Sequence, residues 1–453
     1  MNITGQRVGI VYRLFKMGPT FTERRRKIDV LGWPTDVIAI DPKANNDNNG
    51  VRSSPVHTIL FWVPGNPGQH DWYNSDFVDV LLGLGEGYAL RSVSHAGHGL
   101  FRKANGDYSN DDSITDVKEY CNLRGKTSGD RSVSPLVPWT VDGQVLHKIA
   151  YIDKLMLSIG NKSKSQEDDP NAQFVKDLKF IMIGHSFGCH VIQRMCVLRP
   201  DILERVTGSL FLMPYIRTKP STPLDQRKLE LGGSQSEMLI SVATKLSQTI
   251  RRTVPEAVFG NLIRHGLGAS EGRDDKHNKT IVGVTTRLLE HPLYPQNFFE
   301  LGTEELRDIP NEIDMAALRL LSSHRSSLPQ NHKGGETRLE RPKTQEHRTI
   351  SILYAGDNDQ WCPSFHGEEI KALQSANLLP PSIRTTKMHG LRHDYVCQNI
   401  SIRSKVNRWI ISNIAEMQKD TLPSKDAVQR RRRENLIDPP RTTRTVPKLP
   451  SKL

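Results

Sequence analysis

Apolar residues along the chain fall into two kinds of pattern. Short continuous runs at 59–63 (ILFWV) and 178–183 (LKFIMI) are bounded by Pro, Gly or polar residues, and their length predicts buried strands. The stretches 88–93, 207–212 and 350–355 read the same way, and 382–388 more weakly. Between them the period changes. Val145, Ile149, Ile152, Met156 and Ile159 recur at helical spacing, as do Val191, Met195 and Leu198 ahead of Pro200. A final amphipathic helix is predicted over about 400–417. Strands alternating with helices imply an α/β fold built on a mostly parallel sheet with both faces covered.

Polar stretches divide this pattern. Residues 101–138 are rich in Gly, Ser and Asp and read as a surface insertion, and 161–171 is a second break. Residues 216–345 carry helical patches such as 238–250 and 257–267 without a strand pattern, and 322–346 within them is polar enough to be expected mobile. The expected organisation is a core of 1–215 and 346–418, a helical cap insertion at 216–345, and a disordered basic, Pro-rich tail at 419–453.

Composition narrows the class. Hydrophobic residues are 36% of 453, low for a compact protein, so a packed core is diluted by polar segments. No run nears the roughly 18 apolar residues of a membrane-spanning helix, and the first residues lack the apolar stretch of a secretory signal. Five cysteines without a CxxC pair argue against a disulfide framework or a zinc module. The expectation is a reduced, soluble, intracellular protein. Half of the net charge of +12 sits from Lys419 onward, where ten basic residues face four acidic ones. A charge run on a tail without a recognition module is a solvated segment, and no nucleic-acid partner is expected.

The chemistry concentrates where strands end. Gly184-His185-Ser186-Phe187-Gly188 joins an apolar strand directly to an amphipathic helix, where a nucleophile elbow must sit. A serine hydroxyl is a poor nucleophile without a base and an orienting acid. In this arrangement the acid follows the serine in the chain and the histidine follows the acid. The strand at 350–355 runs into Asp357 and Asp359. Asp357 fits a turn-former, and Asp359, four residues before Pro363, is better placed to point back at Ser186. His389 and His393 compete as base. His389 precedes Gly390 as in a turn, and His393 lies just ahead of the last helix. His95 and His98 end a strand on the same rim, while His185, His190 and His291 read as helix, loop or surface residues. Oxyanion donors are expected from the backbone of Phe187 and from Asn66, or Gly65 if the loop after 59–63 is tighter, because Pro67 has no N–H.

These blocks occur in one order: Pro64-Gly65-Asn66-Pro67-Gly68, Ser94-His95-Ala96-Gly97-His98, Asp142-Gly143-Gln144 with His147-Lys148, the serine elbow, and Asp359 with Trp361-Cys362-Pro363. Together they resemble the lipid droplet-associated serine hydrolase family of α/β-hydrolases over about 59–100, 141–215 and 350–415. The resemblance implies an α/β-hydrolase fold and a triad of Ser186, Asp359 and His393 that needs no metal or cofactor. It also implies esterase or lipase action on apolar lipid esters such as sterol esters or acylglycerols, and a lipid-droplet or membrane surface as a partner. His393 is followed by Asp394-Tyr395, where the family commonly has a small residue and Phe. An acyl-CoA thioesterase on the same fold and a non-catalytic lipid-surface protein are the alternatives.

The chain ends Ser451-Lys452-Leu453, a tripeptide read at a free C-terminus by the peroxisomal import receptor. It predicts a peroxisomal location, with the droplet surface or cytoplasm as the alternative.

Overall fold

The computed structural model describes residues 21–43, 56–98, 139–164, 178–215, 275–290, 294–310, 312–323, 347–356 and 361–421, with Arg217, Asp359 and isolated positions between 245 and 261. The insertion at 101–138, Asp357, His291, the segment 324–346, most of the 238–250 and 257–267 patches, and everything from 422 to Leu453 lie outside the described residues.

Eight strands form one sheet: β1 (Phe21–Val30), β2 (Trp33–Pro42), β3 (Thr58–Val63), β4 (Tyr88–Val93), β5 (Lys179–His185), β6 (Val206–Leu212), β7 (Thr349–Tyr354) and β8 (Ile383–Lys387). Their order is β1-β2-β4-β3-β5-β6-β7-β8. From β4 to β8 every pairing is parallel, while β1 and β2 add to β4 as an antiparallel hairpin. The continuous apolar runs become the central strands because helices cover both of their faces. Every residue of β3 and β7 is buried.

The hairpin is absent from the sequence reading, for two reasons. β1 lies at the sheet edge, and most of FTERRRKIDV is exposed or half-buried, so it lacks an apolar face to read. Its turn, Leu31-Gly32, has φ of 55° and 81°. That geometry normally advertises itself with Asn-Gly or Asp-Gly, and here Leu occupies the strained position.

Eight helices of eight residues or more flank the sheet among the described residues: α1 (Asn74–Leu84), α2 (Val141–Lys164), α3 (Phe187–Leu198), α4 (Asp275–Glu290), α5 (Tyr294–Asp308), α6 (Met315–Ser322), α7 (Phe365–Ser375) and α8 (Ile400–Thr421). α1 and α8 pair through a buried ionic knot. Asp76 Oδ1 accepts from Arg403 Nη2 at 2.9 Å and from Asn407 Nδ2 at 3.1 Å. α3 packs against α2 and α6, and α4, α5 and α6 all fall between β6 and β7 in the chain. Among the described residues, no helix is long and apolar enough to cross a membrane.

Candidate functional site

A parallel sheet delivers its loops to one edge, and six of them, after β3 to β8, meet beyond the carboxyl ends of the strands. β5 runs straight into α3 through Ser186, which is held at φ 51°, ψ −122°. A non-glycine residue reaches that conformation only where its surroundings enforce it. The enforcement is visible. Ser186 N–H donates to the Leu212 carbonyl at 2.9 Å, and the Ser186 carbonyl accepts from Cys189 N at 3.0 Å and Tyr215 N at 3.1 Å. The glycines on either side permit the approach. A Cβ on Gly184 would lie 2.8 Å from the Cys189 backbone, and one on Gly188 would overlap the Val63 and Pro64 carbonyl oxygens.

Ser186 Oγ lies 2.8 Å from His393 Nε2, and His393 Nδ1 lies 3.0 Å from Asp359 Oδ2. The other carboxylate oxygen of Asp359 accepts from the backbone N–H groups of Trp361 at 2.9 Å and Cys362 at 3.0 Å. Burial alone would raise the Asp359 pKa. The hydrogen bond and charge of His393 and the two amides outweigh it and hold the carboxyl below its ordinary range. The row therefore has one ionised acid, aimed by two backbone amides at the far nitrogen of the imidazole. His389 sits in an exposed turn beside Gly390, whose φ is 76°.

His185, grouped from its sequence context with helix, loop or surface histidines, is instead the last residue of β5. It is buried, its Nδ1 lies 2.6 Å from the Tyr73 hydroxyl, and its Nε2 lies 2.9 Å from the His393 carbonyl. A carbonyl only accepts, so Nε2 carries the proton and Nδ1 accepts from Tyr73. Burial, and then the nearby His393, push the His185 pKa down to about 3, which keeps this tautomer neutral. The Tyr73 hydroxyl in turn accepts from Gly65 N–H at 3.4 Å. Tyr395 packs its ring on both partners, with centroids 5.4 Å from His185 and 6.2 Å from Tyr73. The sequence signal for this cluster is slight: one polar ring at the end of an apolar strand and two in short helical turns, brought together from 185, 73 and 395.

Asn66 faces α5. Its Nδ2 donates to the Phe298 carbonyl at 3.3 Å, and its side chain also bonds Glu305, a buried carboxyl pushed up to about 8 chiefly by desolvation. Asn297 of the same helix donates to the Gly97 carbonyl at 2.7 Å. Phe187 is the first residue of α3, where a backbone N–H has no acceptor within the helix. Its ring meets His95 edge-on at 5.4 Å. His98 donates from Nδ1 to the Pro67 carbonyl at 2.6 Å. No group of three or more potential ligands that could hold a metal occurs among the described residues.

A family model described as lipid-droplet associated hydrolase matches residues 56–396. The chain belongs to the lipid-droplet associated hydrolase family. The matched span takes in Ser186, Asp359 and His393 and leaves out the β1–β2 hairpin and α8. Family members resemble it modestly and at length. The lipid droplet-associated hydrolase of Gallus gallus is 23% identical over 395 residues, covering 85% of this chain and 94% of the relative. The human protein of that name is 23% identical over 319 residues, 69% of this chain and 73% of its own. Among solved structures, the peroxisomal alpha-beta-hydrolase Lpx1 of Saccharomyces cerevisiae aligns with a TM-score of 0.50 at 11% identity, covering 93% of this chain and 97% of that one. That likeness is one of fold. The family and the α/β-hydrolase fold are those of a hydrolase.

Proposed function

We propose that this hydrolase cleaves carboxylic esters of apolar lipids, of the sterol ester or acylglycerol type, through a Ser186/His393/Asp359 triad. The observation that carries the reading is the unbroken row from Ser186 Oγ through His393 to Asp359, at 2.8 and 3.0 Å. In this mechanism His393 Nε2 takes the Ser186 proton as Oγ attacks the ester carbonyl carbon. Asp359 stabilises the imidazolium that forms and keeps the ring in the right tautomer. His393 then returns the proton to the leaving alcohol, and the acyl-enzyme is hydrolysed by a water that His393 activates in turn. The tetrahedral oxyanion is received by the backbone N–H groups of Phe187 and Asn66. Gly65, the alternative donor, turns its N–H to the Tyr73 hydroxyl, which favours Asn66.

Apolar substrates are supported by the names of the relatives and by the rim, where Trp361 is 44% exposed beside Tyr215. The helices between β6 and β7 act, in this reading, as part of a cap over the site. α5 supports that role because Asn297 and Phe298 bond the loops after β4 and β3. A cap excludes water from the acyl-enzyme and offers an apolar pocket for the chain. Access to a droplet surface and peroxisomal import through Ser451-Lys452-Leu453 complete the proposal.

Fluorophosphonate labelling followed by an ester panel graded by chain length tests it. Wild type is expected to label and to prefer long-chain esters, and Ser186→Ala to do neither, with a loss on the order of 10⁶ in turnover. Preference for acyl-CoA over esters would move the substrate to thioesters. An unlabelled, folded wild type would end the enzymatic reading in favour of a lipid-surface protein.

A further inference from the structure

Behind the loops that frame Ser186 lies a buried polar cluster that the proposed mechanism does not use. Gln144, His147 and Lys148, in the first turns of α2, are all fully buried. Gln144 makes both hydrogen bonds to one residue of the loop after β4, accepting from Ala96 N–H and donating to the Ala96 carbonyl, each at 3.0 Å. Lys148 Nζ reaches the Ser94 carbonyl at 3.1 Å, Gln144 Oε1 at 3.3 Å and His147 Nδ1 at 3.1 Å. The third contact has a definite sense. Thr35 Oγ1 donates to the Trp33 carbonyl at 2.9 Å and so accepts from His147 Nε2 at 2.8 Å, which leaves His147 Nδ1 as an acceptor. Lys148 therefore faces three acceptors, the complement of an ammonium. Burial pulls the other way, taking its pKa well below that of an ordinary lysine. A group this costly to bury is a poor choice for holding a loop unless the position of that loop matters.

The loop in question touches Phe187 and the segment that follows Asn66. His95 N–H donates to the Gly68 carbonyl at 2.9 Å, and His98 Nδ1 donates to the Pro67 carbonyl at 2.6 Å. The His95 side chain fills the space over Gly68, where a Cβ would come within 2.5 Å of it, and its ring also meets those of Phe187 and His98. One rigid path thus runs from Lys148 and Gln144 through 94–98 to the loop of Asn66 and to Phe187.

We propose that Lys148 and Gln144 are positioning residues for the oxyanion hole, fixing the 94–98 loop so that the Asn66 and Phe187 amides stand where the tetrahedral oxygen develops. This rests on the serine hydrolase reading. A displacement of donors by a fraction of an ångström weakens binding of the transition state and leaves ground-state binding nearly intact. The probes are a p-nitrophenyl ester, a trifluoromethyl ketone of the same chain length, and the corresponding non-reacting ether. The ketone carbonyl carbon bonds Ser186 Oγ, the hydroxyl proton passes to His393, and the carbonyl oxygen becomes the oxyanion, so its affinity reports the hole.

Lys148→Met, checked for folding by circular dichroism, is expected to lower kcat about 10- to 100-fold with KM within about twofold, less than the roughly 10²- to 10³-fold cost of removing an oxyanion donor outright. Ketone affinity should fall by a similar factor and ether affinity should not move. Lys148→Gln, which keeps a donor for the Ser94 carbonyl, is expected to recover part of the loss. Gln144→Met repeats the test independently should Lys148→Met not fold. Unchanged kcat in a folded variant, or equal loss of ketone and ether affinity, overturns the proposal while wild-type labelling at Ser186 still stands. An unlabelled wild type instead removes the hydrolase reading on which the proposal rests.

Discussion

Asp359 and Glu305 are both buried carboxyl groups, and their surroundings drive them in opposite directions. Asp359 is surrounded by donors, so its ionised form prevails against burial. Asp359→Asn is expected to cost on the order of 10⁴ in kcat with the fold intact, because the amide presents the wrong hydrogen-bonding face to His393 Nδ1. Steady-state kinetics against the labelled-site concentration checks it, and a loss below tenfold would assign the acid elsewhere. Among the described residues Glu305 has only the Asn66 side chain to offset desolvation, and its pKa is pushed up to about 8. Between the ordinary carboxylate range and about pH 8 the unfolded chain has released this proton while the folded chain retains it. Stability contributed by this site therefore falls as pH rises through that window and levels off above it. Glu305→Gln should remove the slope. Its Tm is expected to match that of wild type near pH 4.5 and to exceed it increasingly up to about pH 8. Parallel melting curves at both pH values would disprove the shift.

At the scale of elements, the long α8 is fixed to α1 by polar groups as well as by apolar packing. Asp76 is fully buried, and Arg403 Nη2, Arg403 Nε and Asn407 Nδ2 all converge on its Oδ1. Removing one side strands a buried guanidinium, so Asp76→Ala is expected to destabilise the protein by about 3–5 kcal/mol. Replacing both ends, as Asp76→Leu with Arg403→Met, should cost far less. Denaturant melts of the two variants separate a true buried pair from an incidental one. Equal destabilisation by both would show that packing, not pairing, holds α8. The strands needed no such device. Their apolar runs dictated β3 to β7 almost to the residue, while the polar edge strand β1 carried no period for a sequence reading to find.

For the whole molecule, the open question is address. If Leu453 carries a free carboxylate, a fluorescent protein fused at the N-terminus is expected to give peroxisomal puncta that vanish when the last three residues are deleted. A droplet-rim pattern with the intact tail would make the tripeptide a coincidence. The sequence by itself determined the class of fold, the strand-to-helix turn at Ser186 and the chain order of the proposed acid and base. Those depend on local facts: strand and helix periods, and residue types at strand ends. It favoured Asp359 over Asp357 and, through the family resemblance, His393 over His389, but all four lie near the same two strand ends and local pattern does not say where a loop side chain points. Among the described residues, the tertiary structure brings Asp359 and His393 to Ser186 and leaves His389 in an exposed turn. Only the assembled fold joins Tyr73, His185 and the His393 carbonyl, or sets Lys148 beneath the loop that touches Phe187 and Gly68. A buried hydrogen bond between residues more than a hundred positions apart leaves no period in the chain, since the sheet that brings them together is built from other residues.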